Sequence, residues 1–310
     1  MSRQTLATQL ALVLALALGA CAGGPASSVP TPTVTVVPFS TPTGLGTEAP
    51  GQAAAPECNP NDVVDALGPL VPYDEFSLSQ NTIEGVRNLN LWFVDPGLDP
   101  LASGGAIEEN VSVARLHATR LAHLLNQGDG CVASVFQGIT ALAVDRDYNA
   151  WFTGQIVPGN LPQAADPTDG DLEAAAETFT AGYTRTSETL SASRPAAEPG
   201  SCLWPEVRES LLSHFGDGRQ NLAFYISVDD DGVNVWGQWD GPADFDILQG
   251  NLLSLRAELG CLHPPLDTFW TVYVDGTGAT QLVLAVAGDA VRASTDEEFI
   301  DQLEIIYPST

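Results

Sequence analysis

From residue 58 onward, apolar positions fall into two recurring periods. Val111, Ala114, Ala118, Leu121 and Leu125 are spaced 3, 4, 3 and 4, the period of one buried helix face. Phe245, Leu248, Leu252, Leu255 and Leu259 repeat that spacing, and Gly260 then supplies a favoured stop. Between and around these stripes the period drops to two. Leu222, Phe224 and Ile226 alternate with smaller or polar residues, and Val233, Val235, Gly237 and Trp239 do so after an Asp-Asp-Asp-Gly turn. Strands near 268–275 and 279–286 form a second hairpin over Asp275-Gly276-Thr277-Gly278. Pro205 opens a helix that runs to about Phe215, at an early position that needs no donated hydrogen bond.

The first half carries the same signals in the same order. Cys58-x3-Asp62-Val63-x-Asp65-x-Leu67 matches Cys202-x3-Glu206-Val207-x-Glu209-x-Leu211. Asn88-Leu89-Asn-Leu91-Trp92-Phe93 aligns with Asn221-Leu222-Ala-Phe224-Tyr225-Ile226, and Gly130-Cys131 aligns with Gly260-Cys261. Cys131 precedes Asp145 by 14 positions, and Cys261 precedes Asp275 by the same 14. The chain therefore reads as an internal duplication. Strands that are apolar on one face need a helical layer to cover it, so the expected fold class is α+β: two tandem helix and antiparallel-sheet units, each a two-layer sandwich. The first half departs by extra residues around Pro72 to Gly85 and by the lack of a second strand between Pro96 and Gly105, which leaves three clear strands. Leu172, Ala176, Phe179, Tyr183 and Leu190 predict one connector helix between the units.

The N-terminus has a different character. Met1-Ser2-Arg3 is followed by an unbroken apolar run from Leu10 to Leu18, too short for a spanning helix, which needs about 20 residues. Leu18-Gly19-Ala20-Cys21 resembles the lipobox of bacterial lipoproteins. That resemblance covers residues 1–21 alone. It implies removal of the leader, lipidation of Cys21 and stable attachment through two or more acyl chains. Residues 22–57 hold seven prolines among Thr, Ser, Gly and Ala, a composition that cannot offset its ordering entropy and is expected to stay disordered. The expected organisation is a signal peptide at 1–20, a lipidated tether at 21–57, a first α+β repeat at 58–165, a connector at 166–201 and a second repeat at 202–307. The membrane is then a partner through the lipid, and the location is the extracytoplasmic face of a cell membrane or envelope.

Charge narrows the partners. The 310 residues include 39 Asp or Glu against 11 cations, all arginine, for a net charge of -28. Nucleic acid is excluded as a partner, because phosphate binding needs a basic footprint. The acidity and the absence of lysine also match life in high salt. Apart from Cys21, four cysteines remain, an even number in an exported chain, where disulfides form. Four cysteines allow three connectivities, and the repeat selects Cys58–Cys131 and Cys202–Cys261. A metal site is not expected, since there is no Cys-x-x-Cys pair and no suitable histidine spacing.

Catalytic signatures are not found, and no cofactor fingerprint is present. His117 and His123 lie six apart and read as surface residues, and His214 suits the negative end of its helix. Asp229-Asp230-Asp231-Gly232 is better explained as a turn than as a calcium loop, because Ser227 and Gln238 hold the first and twelfth places of that frame. The candidate ligand-binding residues are aromatic. If Tyr148, Ala150 and Phe152 face the helices, Trp151 points outward, and Trp236 is likewise out of phase with Val233, Val235 and Trp239. An outward tryptophan on a sheet stacks on a sugar or anchors a protein partner. The expected role is binding or structural; the rival is a cell-envelope hydrolase using surface carboxylates.

Overall fold

A computed structural model describes residues 58–186, 199–216, 221–229, 232–241, 245–292 and 295–307. The leader, Cys21, the tether and Leu190 lie outside these residues, as do Asp230, Asp231 and the side chain of Phe245.

The chain folds as two tandem α+β units, each with its own five-stranded sheet. In the first, helix α1 (Pro60–Leu67) precedes the hairpin β1 (Phe76–Ile83) and β2 (Val86–Val94); helix α2 (Gly105–Gly128) follows, then β3 (Gly138–Val144) and β4 (Ala150–Ile156). Helix α3 (Asp169–Ala176) and strand β5 (Thr180–Thr184) complete it, in the order β1-β2-β3-β4-β5. The second unit repeats the plan with α4 (Trp204–Phe215), β6 (Ala223–Val228), β7 (Val233–Asp240), α5 (Phe245–Gly260), β8 (Thr268–Val274), β9 (Thr280–Ala287), α6 (Asp296–Asp301) and β10 (Glu304–Tyr307). Its sheet order, β10-β9-β8-β7-β6, corresponds strand for strand.

Three expectations are corrected. The sheets are mixed rather than antiparallel, because β2 pairs parallel with β3 and β7 with β8. A helix of 24 residues, α2, carries the chain back roughly 36 Å, so the next strand starts from the same end as the last, as parallel pairing requires. Next, the segment taken as extra residues contains strand β1. Its turn, Glu84-Gly85, has positive φ at both residues, 51° and 81°, the geometry of the tightest hairpins, but Glu replaces the usual Asn or Asp cue. Hence β2 corresponds to β7 rather than to the Asn221–Ile226 segment. Finally, the connector is helical only over Asp169–Ala176, opened by a Thr168–Asp171 capping box. Tyr183 sits in β5, paired with β4, within a Thr-rich run that favours a strand.

Each sheet has one face under helices. The buried stripe of α2 packs on Leu89, Leu91, Phe93, Ile139, Ala141 and Phe152. In the second unit Val207 and Leu211 of α4 and Leu248, Leu252 and Leu255 of α5 pack with Phe224, Val235 and Trp239. Cys58–Cys131 and Cys202–Cys261 are disulfide-bonded as the repeat required. Among the described residues no helix is long and apolar enough to cross a membrane.

Candidate functional site

The site is reached through the seam between the units. Trp92 of β2 donates its indole N–H to the Ile226 carbonyl of β6 at 2.9 Å. Gln238 of β7 donates its Nε2 to the Gln80 carbonyl of β1 at 2.7 Å. The ladder registers make Trp92 and Gln238 equivalent, since each is the fifth residue of its parallel ladder, opposite Leu142 and Val272. They also make Gln80 and Ile226 equivalent, paired with Leu89 and Val235. Two further links obey the same exchange: Thr82 bridges Ala279, and Val228 bridges Asn149. The units are thus related by a local pseudo-two-fold, and unlike residues perform the same task on its two sides.

The turns that take part are near copies. In the β3–β4 turn Asp145 Oδ1 accepts from the backbone N–H groups of Asp147 and Asn149. In the β8–β9 turn Asp275 Oδ1 accepts from those of Thr277 and Ala279. Tyr148 and Gly278 hold the same place with φ of 64° and 81°. Six residues beyond each aspartate, Trp151 Nε1 and Gln281 Nε2 donate to the remaining oxygen at 2.7 and 3.1 Å.

This turn explains Trp151. The expectation that it points outward is corrected: its relative exposure is 0% and it belongs to the helix-side core. Ala143 pairs with Phe152 and Val144 with Ala150, so Trp151 is the extra residue of a bulge, which breaks the two-residue alternation on which the outward reading rested. Its ring also lies beneath the Arg185 guanidinium, 4.9 Å from centroid to Cζ. Burial raises the pKa of Asp145, while its donors from Asn149, Trp151 and Asp147 pull it down.

Trp236 behaves as expected. It lies on the face of β7 away from the helices, half-buried, and stacks on Tyr225 with centroids 5.8 Å apart and planes at 11°. Tyr225 stacks on Trp92 at 5.9 Å, and Trp92 on Tyr148 at 6.4 Å. One aromatic column therefore runs from the seam to Trp236. At the seam end the Tyr148 hydroxyl donates to Glu75 at 3.2 Å. Burial raises the pKa of Glu75, against the lowering effects of the Tyr148 hydrogen bond and of Arg208.

The helix-free faces of both sheets enclose a cavity of about 130 Å³. The first unit supplies Asn81, Asn88, Asn90, Thr140 and Thr153 beside aliphatic side chains such as Ile83 and Leu142. The second supplies the rings of Tyr225, Trp236 and Trp270 beside the polar Ser227, Asp229 and Asn234. Asn88 Oδ1 is held by Gln155 at 2.6 Å. By contrast, Asn81 Oδ1 and Asn90 Nδ2 are buried and have no hydrogen-bond partner in the protein. Buried amide groups are normally satisfied, and these two atoms are closed off from the cavity space. The carboxylate in the lining, Asp229, accepts from Gly232 N at 3.1 Å and from Asn234 Nδ2 at 3.1 Å.

The sequence pattern placed Trp236 on this face and did not single out the asparagines. Their signal was present: Asn is depleted in strands, yet Asn88 and Asn90 alternate with Leu89 and Leu91. The histidines divide. His123 is buried rather than on the surface, and His117 Nδ1 pairs with the buried Asp95. Among the described residues no cluster of three or more His, Cys, Asp or Glu converges on one point.

Fold and site together define a two-repeat α+β protein with a cavity of about 130 Å³ between its sheets. No family model, no curated protein and no solved structure matches the chain.

Proposed function

We propose that this chain is a lipoprotein held on the extracytoplasmic face of a cell membrane through Cys21, and that its repeat pair binds a small uncharged molecule between the sheets. Two intramolecular disulfides support an oxidising compartment, and the lipobox-like Leu18-Gly19-Ala20-Cys21 supports the anchor. The binding role rests on one observation: Asn81, Asn88 and Asn90 line a cavity that also presents the stacked rings of Tyr225 and Trp236. Ligand pockets combine an apolar lining with a few converging polar groups in this way.

The anchor is tested by labelling cells with a radioactive palmitate and fractionating them. The full chain is expected to carry label in the membrane fraction, and Cys21→Ser to lose both; label that persists in the variant refutes the anchor. The binding role is tested by ligand-detected NMR of the detergent-solubilised chain against a set of neutral ring compounds. Saturation transfer to none of them refutes it.

A further inference from the structure

We infer that the aromatic column Trp236–Tyr225–Trp92–Tyr148 is a relay for one-electron oxidation, which takes an electron hole from Trp236 at the cavity and leaves it on Tyr148 at the seam as a neutral phenoxyl radical. The column is continuous. Neighbouring centroids are 5.8, 5.9 and 6.4 Å apart and neighbouring planes differ by 11°, 16° and 17°, the separations of offset-stacked rings. The fold does not require it. The pseudo-two-fold that pairs Trp92 with Gln238 and Tyr148 with Gly278 also pairs Trp236 with Asn90 and Tyr225 with Ser79. At those four positions the other side of the seam carries no ring, yet it forms the matching hydrogen bond from Gln238 to the Gln80 carbonyl.

The two ends suit opposite roles. Trp236 is half-buried and lines the cavity, whereas the other five tryptophans are 3% exposed or less, so a small oxidant meets the column at Trp236. At the other end the Tyr148 hydroxyl donates to Glu75 Oε2 at 3.2 Å, within reach for proton transfer. A phenol that hands its proton to a base as it loses its electron is easier to oxidise than a stacked indole, so the hole comes to rest on Tyr148. Burial raises the pKa of Glu75, which strengthens its carboxylate as that base. Tyr225 donates to no carboxylate among the described residues, and it therefore bridges the two indoles without holding the hole. The oxidant is a small oxygen-centred radical; it gains one electron, and Trp236 becomes an indole cation radical. One electron then passes from Tyr148 through Trp92 and Tyr225 to Trp236, the Tyr148 O–H bond breaks, and its proton forms an O–H bond on Glu75. The products are the reduced oxidant, a Tyr148 phenoxyl radical and a neutral Glu75 carboxyl.

The test is pulse radiolysis of the full chain in detergent, with azide radical as the oxidant and transient absorption as the readout. The indolyl band is expected to decay and the phenoxyl band to grow at one shared first-order rate that does not change with protein concentration. That growth is expected to be slower in heavy water, because a proton moves with the electron. Tyr148→Phe is expected to abolish the growth, and Trp236→Phe to abolish both the growth and most of the early indolyl signal. Glu75→Gln is expected to slow it about a hundredfold, the lower end of what a positioned base contributes. Far-UV circular dichroism shows that each variant has folded. An indolyl signal that decays in the unaltered chain without phenoxyl growth overturns the relay, whatever the variants do. Growth that scales with protein concentration, or that persists unchanged in Tyr148→Phe, overturns it as well. Growth that is equally fast in Glu75→Gln overturns the assignment of the proton acceptor. None of these outcomes depends on a ligand in the cavity.

Discussion

Replacing Trp92 by Phe tests whether the pseudo-symmetric seam holds the two units together. Trp92 is 1% exposed, and its indole N–H caps the Ile226 carbonyl across the seam. A phenyl ring keeps the stack with Tyr148 and Tyr225 but cannot donate. Leaving a buried carbonyl unpaired costs about 1–3 kcal/mol, and the smaller ring gives up about 1 kcal/mol of apolar burial. The expected loss is about 2–4 kcal/mol, which for a folded part of this size lowers Tm by about 4–16 °C. Trp204 supplies the control. It is 2% exposed, but its Nε1 is buried with no partner in the protein, so Trp204→Phe forfeits ring area alone, about 1 kcal/mol. Urea unfolding followed by far-UV circular dichroism, with the disulfides intact, measures both variants. Equal losses for Trp92→Phe and Trp204→Phe would refute the energetic role assigned to the seam hydrogen bond.

Other consequences are accessible to simple measurements. The disulfides close segments with sequence separations of 73 and 59 residues, so removing either pair by Ser substitution is expected to cost about 4 kcal/mol; non-reducing peptide mapping that links Cys58 to Cys202 would contradict the pairing. Acrylamide is expected to quench Trp236 alone among the six tryptophans, since the other five are 3% exposed or less. Quenching that survives Trp236→Phe would contradict this. Glu75 has its pKa raised above the ordinary 4.5 by burial, so the folded state binds its proton more tightly than the unfolded state. Its contribution to stability is then full below that value and is lost as pH rises through the folded pKa. Glu75→Gln is expected to gain on the native chain across that window, and parallel stability curves would refute the assignment.

The helix-covered half of each unit was legible because burial on one face imposes a period. The stripe at Val111–Leu125, the strands from Val233 and Thr268, and both disulfides followed from spacing alone. The open faces were not legible for the same reason. Ser77, Ser79 and Asn81 alternate as strictly as any core strand, but in polar residues, so β1 was read as an insertion. Trp151 misled for a local reason: a single bulge residue inverts the facing of everything counted across it. The cavity is a property of two sheets meeting, and no window of one strand contains it. What the sequence did carry was an out-of-phase tryptophan, Trp236, and a pair of asparagines in a strand where they gain nothing from propensity.

Comparing the two units separates what the duplication must preserve from what it frees. At the seam, Trp92 and Gln238 are chemically unlike, yet each donates one hydrogen bond to the equivalent backbone carbonyl. The geometric task is kept while the residue changes. At the turns, Asp145 and Asp275 keep both residue and task, because the same nested N–H groups need the same carboxylate. Lining the cavity, some positions are kept and others are not: Asn88 and Asn234 are the same residue, whereas Asn90 lies where its counterpart Trp236 presents a ring. A purely structural interface between two copies of one surface would be filled by matching apolar residues from both sides, since packing alone rewards density. Placing Asn90, Thr140 and Thr153 where the other unit has Trp236, Trp270 and Val283 gains nothing for folding. That difference makes physical sense when a third body sits between the sheets.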